Sequence, residues 1–230
     1  MLTLCQNNLI LMKLLLTSNG LSNSSIANTL FELVEKTPAE TTVAFIPTAM
    51  NVGAGDKDWF VDDLVNIKKQ GVACLDIVDI SALPIEIWRP RLEAADVLFF
   101  SGGNTSHLMR WIIESGLKEL LPNFLKTKVW AGISAGSMVT NPTLALSSSD
   151  KKIYYEEVTG YRSDTGLGLV DFYVRPHYNS RHFPEANQHY LEQIASEFEA
   201  KIYALDDMSA LKIVDGVVEV VSEGDYLELN

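Results

Sequence analysis

Residues 130–139 read WAGISAGSMV and hold Ser134 in a Gly-x-Ser-x-Gly setting, Gly132-Ile133-Ser134-Ala135-Gly136. Where such a pentapeptide turns a strand sharply into a helix, the small flanking residues let the serine hydroxyl rise at the sheet edge, within reach of a base. A side chain at either glycine would obstruct the strained backbone and the close helix packing. A helix starting at Ala135 aims its first amides and its positive end at the same place. Small-residue turns before helices are also common in α/β proteins, so the pentapeptide signifies acyl-transfer chemistry only in the company of a base, an acid and an oxyanion donor.

A second turn supplies the donor. In Ser101-Gly102-Gly103-Asn104-Thr105, two glycines after the apolar run DVLFF allow backbone N–H groups to point outward, and Asn104 or Thr105 can cap the helix that follows. The Gly103 amide together with the Ala135 amide would make a two-donor oxyanion hole. Neither a G-x-G-x-x-G nor a Walker pattern is present, which sets nucleotide binding aside. The base must be one of four histidines, His107, His177, His182 and His189. His107 and His189 fall within helical patterns. His177, in Arg175-Pro176-His177-Tyr178-Asn179, directly follows an apolar strand and is favoured over His182 in the same loop. For the acid that orients the histidine, Asp150, Asp164 and Asp171 lie between serine and histidine, and the pair Asp206-Asp207 directly follows the strand KIYAL.

These residues need elements to hold them. KLLLT, Lys13 to Thr17, reads as a buried first strand, followed by a helix with Ile26, Leu30, Leu33 and Val34 on one face behind a Ser/Asn cap. VAFIPTA reads as a strand, DWFVDDLVNIKKQG as a helix with Phe60, Leu64 and Ile67 on one face and Gly71 past its end, and VACLDIVDI as a strand. DVLFFSGGNTSHLMRWIIESG and KVWAGISAGSMV each run strand, turn, helix. Strands that are apolar throughout and alternate with helices indicate a mostly parallel sheet covered on both faces, the doubly wound α/β class. In such a sheet the loops at the strand carboxyl ends converge, which is where ligands bind. Beyond residue 141 the pattern loosens: NPTLALSSSDKK reads as a loop, Tyr154-Tyr155-Glu156-Glu157 as a loop or edge strand, GLGLVDFYVRPHY as one or two short strands. PEANQHYLEQIASEFEAK reads as a helix with proline in its first turn. Asp215-Gly216 between two β-branched runs predicts a two-residue C-terminal β-hairpin. Trp59-Phe60, Trp88 and Trp111 are read as core or half-buried cover for the sheet.

Composition bounds the rest. A chain of 230 residues, 47% hydrophobic, supplies one large core, and no internal repeat or linker divides it. Residues 12–230 are expected to form a single domain, with 1–11 an appendage ahead of Met12, which could itself be the start. The net charge of −12 argues against nucleic acid as partner and requires a local basic group for any acidic ligand. The apolar run Leu9–Leu16 is too short to span a membrane and is interrupted by Lys13. With only Cys5 and Cys74, neither a disulfide framework nor a zinc site is indicated, and a cytoplasmic location is expected.

In their order along the chain, the opening MKLLLTSNG, AFIPTA, SGGNT, GISAG followed by Asn141-Pro142-Thr143, RPHY and ALDDMSAL together resemble the peptidase E family of serine peptidases, the group that includes cyanophycinase. The resemblance implies a flavodoxin-like sheet related to class I glutamine amidotransferases, with Ser134 as nucleophile and His177 as general base. It places the acid on Asp207, with Asp206 its neighbour. Asp150 is the residue nearest a further acidic position implicated in the family. It also implies an acyl-enzyme mechanism with no metal or other cofactor, and a small peptide as partner, the best-known members removing an N-terminal aspartate from dipeptides. A homodimer is the assembly considered. The helix after the histidine loop carries no arginine, so Arg175, Arg181, Lys151 and Lys152 are the candidates for a substrate carboxylate. The competing readings are an esterase or amidase with the same triad, and a non-catalytic small-molecule binder on the same fold.

Overall fold

The computed structural model describes residues 12–230, so the expected appendage, residues 1–11, and Cys5 within it lie outside the described residues. Five parallel strands form the centre of a seven-stranded sheet: β1 (Lys13–Thr17), β2 (Thr42–Ile46), β3 (Cys74–Ile77), β4 (Val97–Phe100) and β5 (Val129–Ile133). Two antiparallel strands, β8 (Ser209–Val214) and β9 (Val217–Ser222), extend it to give the order β3-β2-β4-β5-β1-β8-β9. The expected hairpin is β8–β9: Val214 pairs with Val217 across Asp215 and Gly216. Both turn residues have positive φ, 52° and 83°, the requirement of a type I′ turn.

The central strands read as continuous apolar runs because both faces are covered. Leu14, Leu16, Ile46, Phe100 and Trp130 point to one face, under α3 (Ile85–Ala94), α4 (Thr105–Glu114) and α5 (Leu117–Phe124). Leu15, Phe45, Phe99 and Ala131 point to the other, under α1 (Ser24–Val34) and α2 (Asp58–Lys69). The alternation is the period of two of a strand, and each helix contributes its own stripe, such as Ile26, Leu30 and Leu33 from α1.

A smaller sheet stands beside the large one in the order β10-β7-β6, with β6 (Tyr173–Pro176) and β7 (Ile202–Leu205) parallel and β10 (Tyr226–Leu229) antiparallel to β7. Two local expectations give way here, and a third holds in its narrower form. Residues 149–159 are helical, α7 (Ser149–Thr159), where a loop or edge strand was expected; only Tyr155 of that helix is buried, so the segment carries no apolar stripe to announce it. The stretch from Pro184 is not one helix but a 3-10 turn (Pro184–Ala186), α8 (Gln188–Ile194) and a second 3-10 turn, because Asn187 breaks in to cap α8 by accepting the Tyr190 amide. The region of GLGLVDFYVRPHY holds one strand, β6.

Candidate active site

Ser134 is brought to the carboxyl edge of the sheet, facing a cleft, by the turn between β5 and α6 (Ala135–Met138). Its backbone adopts φ 47° and ψ −101°, a conformation a non-glycine residue holds only when its surroundings enforce it, at a cost on the order of 1–3 kcal/mol. The enforcement is visible. The Ser134 amide donates to Thr17 O on β1 at 3.1 Å, and its carbonyl accepts from the amides of Ser137 and Met138. The Ser137 hydroxyl, itself buried, also donates to Thr17 O, at 2.8 Å. Gly136 packs against β4 so closely that a β-carbon there would collide with the carbonyl of Phe100.

The other partners come from the small sheet. β6 ends at Pro176 and delivers His177, whose backbone is in the left-handed region at φ 63° and whose amide donates to Ser18 Oγ at 2.8 Å. β7 ends at Leu205, and two residues later stands Asp207. Because β6 and β7 are parallel and in register, with Pro176 opposite Leu205, their carboxyl ends bring histidine and aspartate together. His177 Nδ1 lies 2.7 Å from Asp207 Oδ1, and His177 Nε2 lies 2.9 Å from Ser134 Oγ. An ionised carboxylate only accepts, so the proton sits on Nδ1 and Nε2 is left to accept from the serine hydroxyl. Asp207 is held below the ordinary carboxylate range, first by the hydrogen bond from His177, then by the charge of that ring and the bond from Ser18, with partial burial opposing. Ser18 Oγ donates to the same Oδ1 at 2.9 Å.

The remaining candidates sort themselves by their partners. Asp206 serves the loop, accepting from Ser209 Oγ and from the amides of Met208 and Asp225. Asp150 is exposed in the first turn of α7, and Asp164 pairs with Lys152. His107 bonds Tyr155 Oη at 3.0 Å and burial lowers its pKa; His189 is exposed beside Gln193. His182 is exposed next to Arg181 at the cleft rim.

The Gly102-Gly103 turn lies directly beside Ser134. A β-carbon built on Gly102 would stand 3.5 Å from the Ser134 β-carbon, and Gly103, at φ 136°, has no room for one against the carbonyl of Ala49. Asn104 caps α4 as expected, its side chain accepting the His107 amide. It also ties α4 to α7 by donating to Lys151 O at 2.9 Å, while Lys151 Nζ donates to Gly103 O at 2.9 Å. The Ala135 amide opens α6, where a helix leaves its N–H groups without intrahelical partners.

Together these groups line a cleft of about 560 Å³. Several of its residues were not expected from the sequence, and four of them bear directly on the site. Ser18 follows the strand β1, a carboxyl end no less informative than those of β4 and β5. Phe183 stacks on the His177 ring, centroids 4.3 Å apart and planes 9° from parallel, fixing the ring's orientation. Trp59, expected to cover the core, is instead 39% exposed and walls the cleft above Gly102. Asp63, one turn further along α2, is buried within the wall. Of the proposed carboxylate readers, Lys151 faces the cleft; its pKa is lowered by burial first and then by Arg175 and Lys57. Arg175 is buried outside it, with Nε and Nη2 unpartnered. Among the described residues no group of three or more His, Cys, Asp or Glu side chains could hold a metal ion, and no helix is long and apolar enough to cross a membrane.

Comparison with known proteins places this arrangement among relatives. The model of peptidase family S51 matches residues 14–221. An uncharacterized peptidase of Pasteurella multocida (strain Pm70) is 32% identical over 148 residues, 64% of this chain and 70% of that protein. Peptidase E of Haemophilus influenzae (strain PittGG) is 27% identical over 192 residues, covering 81% of this chain and 77% of the relative. Among solved structures, a Listeria monocytogenes EGD-e protein described as a candidate Peptidase E superposes with a TM-score of 0.75 at 23% identity, over 93% of this chain and 100% of that one. The likeness at that identity is one of fold.

Proposed function

The chain belongs to peptidase family S51 and is a serine-type peptidase, and from that premise we propose that Ser134, His177 and Asp207 form its catalytic triad, acting on short peptides, dipeptides with an N-terminal aspartate foremost. The observation that carries the reading is the unbroken relay from Ser134 Oγ through both nitrogens of His177 to Asp207, at 2.9 and 2.7 Å.

His177 Nε2 takes the hydroxyl proton as Ser134 Oγ attacks the scissile carbonyl. Asp207 stabilises the imidazolium that results without itself being protonated. The developing oxyanion is met by the amides of Gly103 and Ala135. His177 then gives its proton to the leaving amine, and a water, activated by the same ring, hydrolyses the acyl-enzyme. Phe183 stacked on the ring and Ser18 bonded to the acid hold the relay in the geometry both half-reactions need.

The acidic preference rests on charge. In a chain of net charge −12, the cleft carries Lys57 and Lys151 beside the carboxyl groups of Asp56, Asp63 and Asp207. Lys151 spends one of its three donors on Gly103 O and keeps the others for a ligand. A single domain acting in the cytoplasm completes the reading, on the sparse cysteine content. The test is hydrolysis of Asp-X, Glu-X, Asn-X and Ala-X dipeptides by wild type and Ser134→Ala in parallel. Selective cleavage of Asp-X that disappears in Ser134→Ala is expected. Cleavage that persists in Ser134→Ala would remove the triad, and equal turnover of Ala-X would remove the acidic preference.

A further inference from the structure

Asp63 has no structural employment. It falls on the apolar stripe of α2, between Phe60, Leu64 and Ile67, all of which pack into the core beneath the sheet. It is 5% exposed, and among the described residues its Oδ2 is sealed without a hydrogen-bond partner. No hydrogen bond lowers its pKa, which burial, and then the neighbouring Asp62, push up to about 7. An apolar residue would serve the packing of this face better, since a buried carboxylate without a partner is among the costliest groups a fold can contain.

Its position gives it a use. Asp63 lines the same cleft as Ser134. Its Oδ1 would lie 3.2 Å from a β-carbon built on Gly20, and the Ile133 side chain, which precedes the nucleophile, would lie 3.1 Å from the same point. Gly20 therefore packs closely against both the carboxylate and the residue beside Ser134, and puts Asp63 next to the chain that carries the serine. Trp59, one helical turn earlier on the same face of α2, packs over Gly102. The cleft holds acids and bases together: Asp63 is its buried acid, and Asp56, Asp207, Lys57 and Lys151 also line it.

We propose that Asp63 binds the free α-ammonium group of the substrate's first residue, so that the scissile bond is always the one following the N-terminal residue. The α-ammonium is attached one carbon from the scissile carbonyl, so its receptor must share the nucleophile's cleft. Its three N–H donors suit a carboxylate that no protein donor serves, and its charge compensates the burial. An acetylated or internal residue offers neither charge nor room. Asp63 is then the residue that makes the enzyme an exopeptidase.

The inference rests on Ser134 being the nucleophile, and the experiment separates the two. The diphenyl phosphonate analogue of aspartate, which traps a serine nucleophile covalently, is prepared with a free amine and as its N-acetyl derivative. Inactivation rates are measured for wild type, Asp63→Asn and Asp63→Ala. A fluorophosphonate, which has no amine, reports in each variant whether Ser134 is folded and reactive. The expected result is a free-amine preference on the order of 100-fold in the wild type, lost in both variants while fluorophosphonate labelling stays unchanged. A wild type indifferent to acetylation, or an Asp63→Asn variant that keeps the preference, overturns the assignment of Asp63 and leaves the triad standing. A wild type that the fluorophosphonate does not label overturns the nucleophile, and this inference with it.

Discussion

Asp207 and Asp63 line one cleft, and the chain treats them in opposite ways. Asp207 receives hydrogen bonds from His177 and Ser18 and is held below the ordinary carboxylate range. Asp63 receives none among the described residues and is pushed up to about 7. Two carboxylates whose surroundings drive their pKa values apart are suited to different roles. The acid of the proposed relay has its hydrogen bonds supplied by the protein itself, as its proposed work, holding His177 in one tautomer, requires. The acid on α2 is left incomplete, and a group left incomplete at a cost to stability is a place for a ligand.

The largest effect expected on the relay side is from its nucleophile. Ser134→Ala is expected to lose on the order of 10⁶-fold in kcat on any peptide the wild type cleaves. Turnover near the wild-type rate would dissolve the distinction between the two acids at once. Asp207→Asn, which leaves the shape but reverses the tautomer His177 prefers, is expected to cost about 10⁴-fold in kcat. Asp206→Asn sharpens the contrast, since Asp206 bonds only its own loop and its neighbours. Its loss should appear in thermal stability rather than in kcat, and equal losses of kcat at both positions would contradict the relay as drawn.

On the other wall the sign reverses. The folded state keeps a proton on Asp63 up to about pH 7, whereas the unfolded chain releases it near the ordinary value of 3.8. Stability contributed below that value is therefore lost as pH rises through 7, by as much as about 4 kcal/mol. Asp63→Asn is expected to match the wild type at about pH 4 and to unfold at a higher temperature at about pH 8, while losing activity. A variant less stable than the wild type at about pH 8 would mean that Asp63 has a structural partner after all. Asp207 runs the other way, its contribution being present above 3.8 and lost as pH falls through its lowered pKa. The smallest effect belongs to Ser18→Ala. It removes one of two donors to Asp207 and should lower kcat roughly 10-fold, with an alkaline shift in the acidic limb of the kcat profile; an unchanged profile would make Ser18 a bystander.

The sequence was legible where chemistry and local structure coincide. The Ser134 and Gly103 turns follow apolar strands and are confined by close backbone approach, so glycine and small residues mark them. Asp215-Gly216 announces its hairpin because only certain residues take two successive positive φ angles. His177 and Asp207 could be nominated as strand-end residues, but their meeting depends on β6 pairing with β7 in parallel, across a separation no local pattern encodes. Helix α7 escaped because it packs by a single residue, Tyr155, and is otherwise held through its neighbours. Trp59 was misjudged because a tryptophan on an otherwise core-facing helix reads as cover for the sheet, and only the tertiary arrangement exposes it over Gly102. Asp63 did leave a signal, a charge on the apolar face of α2, three residues after Phe60 and four before Ile67. A carboxylate at such a place asks for an explanation that packing does not supply.

The most direct test of the central claim is peptide mapping of the intact protein after treatment with a fluorophosphonate, in wild type and in His177→Ala. A single adduct on the peptide carrying Ser134, abolished when His177 is removed, is the predicted result. An adduct on another serine, or labelling of Ser134 that proceeds undiminished without His177, would contradict the triad.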